Sequence, residues 1–187
     1  VIIYADDDVI YLSTWLGKLL AMYNSFGGEY PIASRVRIRN KNFLGGYKSY
    51  NLSSICYDNR LLKSDFIITG VGGCVVSKKH FLSKDILLDD FLSVAPTTDD
   101  IWISKLLTRG GKGVKTCSEA LTDVQEIING NNELNALNIT RTIGGKLTRK
   151  EHALYMKLGG YLGGNITKND KLIRGVKKYF NRIEHYN

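Results

Sequence analysis

The sequence predicts an α/β domain in which a sheet and helices form packed layers. Two observations carry that expectation. Short runs rich in β-branched residues (1–5, 65–69, 74–76 and 114–117) alternate with stretches whose apolar residues recur at three- and four-residue steps. Paired glycines, Gly27-Gly28 and Gly110-Gly111, stop two of those helical stretches.

Val1-Ile2-Ile3-Tyr4-Ala5 reads as a strand apolar on both faces, hence buried, that ends at three aspartates. Leu12, Trp15, Leu16, Leu19, Leu20 and Tyr23 then follow helical spacing. Residues 31–39 alternate apolar with basic from Ser34 onward, as a half-exposed strand does. Residues 40–63, rich in Asn, Gly, Ser and Tyr, read as a long surface excursion. Strands are expected at 65–69, 74–76 and 114–117, with a helix from Thr97 that carries Ile101, Trp102, Leu106 and Leu107. Beyond an Asn-rich stretch at 129–138, Thr148 to Glu151 and Thr167 to Asp170 have the form of capping boxes that open two more helices.

Charge is unevenly placed. The chain of 187 residues has 26 Lys and Arg against 18 Asp and Glu, a net of +8. Residues 140–187 hold 11 of the basic and 3 of the acidic groups, so the whole excess lies there and residues 1–139 are neutral. Hydrophobic content of 43% with 24% charged residues excludes wholesale disorder, and the length suits one domain. No apolar run reaches the roughly 18–20 residues of a membrane span. Three separated cysteines without a CxxC argue against a disulfide scaffold or zinc knuckle and suit a reducing cytoplasm. Val1 has no basic residue before it and no initiator Met, so the reading is of a fragment without a signal peptide.

Asp6-Asp7-Asp8 is the most informative feature. Adjacent carboxylates at the end of a buried strand repel, and their desolvation costs several kcal/mol unless a positive charge compensates. A hard divalent cation provides it through oxygen ligands, with substrate phosphates completing the shell. Asp6 and Asp8 point to one side of an extended turn and Asp7 to the other. A solvated acidic loop before a helix is the plainer alternative, but three carboxylates exceed what capping needs. Asp99-Asp100 is the second cluster; it suits a helix N-terminus, and it also supplies a carboxylate separate from the metal group, as general-base chemistry requires. Gly70-Val71-Gly72-Gly73 permits close backbone approach but lacks dinucleotide and P-loop spacing. His80, His152 and His185 lie far apart, no serine has a nucleophile-elbow context, and Arg35, Arg37 and Arg39 share a strand face that can meet phosphates or stay solvated.

With these residues in view, three segments resemble the motifs of nucleotide-sugar glycosyltransferases of the GT-A fold, inverting and family-2-like, of the bacterial polysaccharide type. They are the strand with Asp6-Asp7-Asp8, the segment Asp65 to Gly73, and Pro96-Thr97-Thr98-Asp99-Asp100-Ile101-Trp102, in the family's order over residues 1–117. The resemblance implies a Rossmann-like mixed sheet flanked by helices, with a C-terminal helical segment. Residues 1–128 would form a catalytic core without the nucleotide-binding half that precedes the metal motif in the family, and 129–187 its basic helical extension. Such a chain would bind a nucleotide sugar poorly without that half.

The resemblance further implies Asp8 as principal ligand of Mn²⁺ or Mg²⁺, Asp6 beside the metal and the donor ribose, and Asp7 between them. Asp100 would be the general base and Asp99 its acidic neighbour, Gly72 and Gly73 would line the sugar site, and Trp102 would stand on the acceptor side. A UDP-sugar is the implied donor, and a glycan or lipid-linked molecule the acceptor.

In the tail, Leu172, Ile173, Val176, Phe180 and Ile183 form a stripe between basic residues. Segment 168–185 can pack its stripe on the domain or lie on the inner face of an anionic membrane. Nucleic acid is not expected, because the aromatics do not interleave with the basic residues. A two-metal phosphoesterase or nuclease, and a non-catalytic remnant binding a partner through the tail, are the competing readings.

Overall fold

The structure, a computed structural model, describes residues 1–127, 154 and 157–185. It is a mixed α/β chain. Its strands are β1 (Ile2–Tyr4), β2 (Val9–Tyr11), β3 (Ile32–Ala33), β4 (Val36–Ile38), β5 (Ser54–Ile55), β6 (Leu61–Leu62), β7 (Phe66–Ile68), β8 (Cys74–Val76), β9 (Val114–Thr116) and β10 (Val124–Glu126). Its named helices are α1 (Trp15–Ser25), α2 (Ser83–Ile86), α3 (Phe91–Val94), α4 (Asp99–Arg109), α5 (Ser118–Leu121) and α6 (Lys168–His185). Contacts divide the chain into two compact units: Val1–Ile38, Ile55–Asp90 and Asp100–Ile128 form the first, and Arg39–Ser54, Phe91–Asp99 and Asn129–Asn187 the second.

In the first unit a five-stranded sheet runs β1-β8-β3-β9-β6, antiparallel except for the β3–β9 pair. Period-two alternation sends successive side chains of each strand to opposite faces. On one face Ala33, Cys74, Val76 and Val114 join Val36, Phe66, Ile68 and Leu107 in a buried cluster. On the other, Ile32 and Val75 meet Trp15, Leu19 and Tyr23 of α1 and Ala120 of α5. Trp15, Leu19 and Tyr23 stand at four-residue steps, the helical spacing that the sequence shows. Gly27 and Gly28 end α1 with φ of 58° and 66°, a region open to glycine at no steric cost.

Two expectations are corrected. The opening strand is not buried on both faces, for Ile2 is 61% and Ile3 44% exposed. β1 is the end strand of its sheet, whereas its neighbour β8 lies between two strands and is buried at all three residues. Residues 31–39 do not form one strand: β3 belongs to the large sheet, whereas β4 pairs with β7 in another. The break falls at Ser34, whose N–H bonds to the Gly73 carbonyl at 3.2 Å and whose hydroxyl bonds to that of Gly72 at 2.5 Å.

His80 is fully buried in the first unit, with Nε2 2.9 Å from the Gly28 carbonyl and Nδ1 accepting from the Ser77 N–H at 3.1 Å. Burial, the largest cause, holds its pKa below the usual 6.5 despite the Gly28 contact, and the Lys79 and Lys112 charges add to the fall. A depressed pKa means that the unfolded chain takes up the proton first, so stability is full above pH 6.5 and falls as pH drops below it. The urea midpoint is expected to fall between neutral pH and pH about 5, with a shallower fall in His80→Gln. An equal slope in both proteins would remove His80 as the cause.

The second unit is built around Asp170. Its carboxylate accepts from the N–H of Thr167 (2.8 Å), Ile166 (3.1 Å) and Tyr50 (2.7 Å) and from the hydroxyls of Thr167 (2.9 Å) and Ser49 (2.5 Å). The Asp170 N–H returns a bond to Thr167 Oγ1 at 3.2 Å, so the second capping box forms as the sequence predicts. Thr148 to Glu151 lies outside the described residues. In α6, Ile173, Val176 and Phe180 are buried, while Lys171, Arg174, Lys177, Lys178 and Arg182 are exposed. Among the described residues no helix is long and apolar enough to cross a membrane.

Candidate functional site

Four pieces of the first unit converge at one end of β1: the Asp6-Asp7-Asp8 turn, Tyr11 at the end of β2, the glycine turn 70–73 between β7 and β8, and Asp100 in the first turn of α4. The link is Gly70. Its N–H donates to Asp100 Oδ1 at 2.9 Å, and its carbonyl accepts from the Asp6 N–H at 3.2 Å and the Tyr11 hydroxyl at 3.1 Å. A Cβ at Gly70 would stand 1.9 Å from Asp6 Oδ1, so only glycine lets this carboxylate approach so closely. The Tyr4 hydroxyl donates to the same Asp100 oxygen at 2.9 Å. Two fixed donors therefore orient the Asp100 carboxylate, one from the backbone and one from an aromatic ring.

Tyr11 joins the aspartate turn to the glycine turn. Its oxygen accepts from the Asp6 N–H at 3.2 Å, and its hydroxyl is shared between the Gly70 and Val71 carbonyls, each at 3.1 Å. The phenol pKa is pushed up to about 12, chiefly by burial. The bond from the Asp6 N–H works in the opposite direction, and the negative charges of Asp6, Asp8 and Asp100 add to the rise. The Tyr11 hydroxyl thus stays neutral in the field of three carboxylates. Asp6 and Asp100 are half-buried, whereas Asp7 and Asp8 are exposed.

Other residues support the glycine turn from beneath. Trp15 Nε1 donates to the Gly72 carbonyl at 2.9 Å, and its ring stands 4.2 Å from that of Tyr11, centroid to centroid. Gly72 and Gly73 are buried: a Cβ at Gly72 would meet the Arg35 backbone at 2.4 Å, and one at Gly73 the Trp15 ring at 2.2 Å. Arg35 pairs with Glu126 at 3.1 Å. Trp102 is buried, with 5% of its surface exposed, and Asp99 is exposed and belongs to the second unit.

Asp6 and Asp100 therefore meet at Gly70, Asp8 stands in the exposed turn two residues on, and Gly72, Gly73 and Trp102 lie buried. Tyr4, Tyr11 and Trp15 are the site residues that the sequence reading passed over as strand and helix filler. The available signal was three aromatics with polar tips flanking an acidic triplet, two of them at an i, i+4 step.

Among the described residues, no group of three or more His, Cys, Asp or Glu side chains forms a metal site. The donor set at the aspartate turn is all oxygen, with Asp7 and Asp8 open to solvent, which fits a hard cation that keeps several positions for phosphate and water. No protein-family model matches the chain, and neither a curated protein nor a solved structure matches it.

Proposed function

We propose that the chain carries the catalytic centre of a metal-dependent glycosyltransferase that moves a sugar from a nucleoside-diphosphate donor, in the first instance a UDP-sugar, to a hydroxyl of a glycan or lipid-linked acceptor. The observation that carries this reading is Gly70 between two carboxylates, Asp6 against its α-carbon and Asp100 on its N–H. One acidic group is thus joined to the exposed Asp7 and Asp8, and a second, held apart by a backbone donor, is available as a base.

Asp8 and Asp6 would hold Mg²⁺ or Mn²⁺, which when bound supplies positive charge to the donor's diphosphate. Asp100 accepts the proton of the acceptor hydroxyl on its carboxylate. The acceptor oxygen then bonds to the anomeric carbon, and the bond from that carbon to the diphosphate breaks with its electron pair leaving on the nucleotide. Tyr4 and the Gly70 N–H keep the Asp100 carboxylate in one orientation as it changes charge. Tyr11, neutral up to about pH 12, adds no charge of its own to the acidic site.

A single displacement with one base inverts the anomeric centre. In the full-length protein with Mn²⁺ and an α-linked UDP-sugar, water taking the place of the acceptor is expected to release the β-anomer, read by proton NMR before mutarotation. Release of the α-anomer would contradict the role given to Asp100.

A further inference from the structure

We propose that the second unit carries a docking surface for an anionic membrane, separate from α6 and independent of what the site in the first unit catalyses. The sequence leaves 168–185 open to such a contact or to packing on the domain, and its stripe is buried at Ile173, Val176 and Phe180. A different apolar surface faces outward. Leu154, Leu158 and Leu162 are 59%, 54% and 59% exposed, and residues 157–161 are helical, so Leu158 looks out along one arc of that stretch. Tyr161 falls within the same arc.

The loop 41–48 extends this surface. A bridge between Lys41 and Tyr47 closes it, and Asn42 Oδ1 accepts from the N–H groups of Leu44 and Gly46 at 3.0 Å each. Phe43 and Leu44 stand in the turn so formed, 77% and 71% exposed. The loop is fixed to the helical segment: Asn42 Nδ2 donates to the Tyr161 carbonyl at 3.2 Å, the Ser49 N–H to that of Gly160 at 2.8 Å, and the Phe43 ring stacks on Tyr161 at 6.2 Å. Phe43 and Tyr161, with Leu158 on the same helical arc, therefore form one preorganised patch.

Charge identifies the occupant. Segments 39–48 and 157–165 contain Arg39, Lys41, Lys48 and Lys157 and no acidic residue. Lys48 lies over the Tyr161 ring at 4.7 Å and Lys41 over Tyr47 at 5.1 Å, which holds both ammonium groups beside the patch. An apolar protrusion with an aromatic ring at its base and lysines around it matches the boundary between acyl chains and anionic headgroups.

The test is co-sedimentation of the full-length protein with phosphatidylcholine vesicles, with and without phosphatidylglycerol. The protein is expected to bind the anionic vesicles, more weakly at high salt. Phe43→Ser and Leu158→Ser should each lower binding by roughly tenfold, the loss expected for one buried apolar side chain, while Lys177→Gln with Lys178→Gln on α6 has a smaller effect. The leucine and phenylalanine are exposed, so folding is retained, and circular dichroism checks it. Absence of binding by the unaltered protein, or binding that depends on the α6 lysines and not on Phe43 or Leu158, would overturn the proposal. So would a dimer in light scattering that Leu158→Ser dissociates without any vesicle binding, which would assign the patch to a second copy of the chain.

Discussion

Asp100→Asn is expected to lower turnover by roughly 10²–10⁴-fold, the usual contribution of a general base, and to leave donor affinity unchanged. The substitution is chosen for what it preserves. Asparagine has the same shape, and its carbonyl oxygen still accepts from the Tyr4 hydroxyl and the Gly70 N–H, each 2.9 Å from Asp100 Oδ1. The turn at Gly70 and the position of Asp6 therefore stay as they are, and only the capacity to take a proton is removed. Because the proposed donor site is the aspartate turn and not Asp100, donor binding has no reason to change. A turnover within threefold of the unaltered protein would remove Asp100 from the reaction.

Gly73→Ala is expected to destabilise the first unit by about 3–4 kcal/mol, a large share of the roughly 5–15 kcal/mol typical of a folded domain. Two costs combine. The backbone at Gly73 has φ 72° and ψ 157°, a region essentially closed to residues with a Cβ, at about 1–3 kcal/mol. The added methyl would also stand 2.2 Å from the Trp15 ring, and overpacking of that kind costs about 1–3 kcal/mol. Trp15 cannot retreat without giving up its bond to the Gly72 carbonyl and its contact with the tilted Tyr11 ring. Movement of the turn would carry Gly70 with it and so disturb both Asp6 and Asp100. Urea unfolding checks the figure, and a loss below 1 kcal/mol would show that the turn relaxes freely.

The parts of this arrangement legible in sequence are those whose chemistry is local. The aspartate triplet ends a strand, the glycine quartet follows another, and Asp100 opens a helix; residue type and position within an element suffice to find them. The box from Thr167 to Asp170 is legible for the same reason, since its bonds span three residues. The rest depends on partners far away in the chain. Tyr4 reaches Asp100 across 96 positions and Trp15 reaches Gly72 across 57, so neither aromatic differs locally from ordinary strand or helix filler. Ser49 and Tyr50 read as part of a surface excursion, yet both are buried, because Asp170 accepts their hydroxyl and amide bonds from 120 or more residues away. The exposure of Ile2 and Ile3 follows from strand order, which composition does not encode.

The most direct test of the site assigned to Asp6, Asp8 and Asp100 is calorimetric titration of the full-length protein with a UDP-sugar, with Mn²⁺ and with chelator, in the unaltered protein and in Asp8→Ala. Asp8 is exposed and its side chain packs into no core, so its removal reports on ligand and not on folding. The account predicts Mn²⁺-dependent binding that weakens by roughly tenfold or more in Asp8→Ala, in the range for loss of a charged ligand contact. Binding that is the same with chelator, or the same in Asp8→Ala, would contradict it.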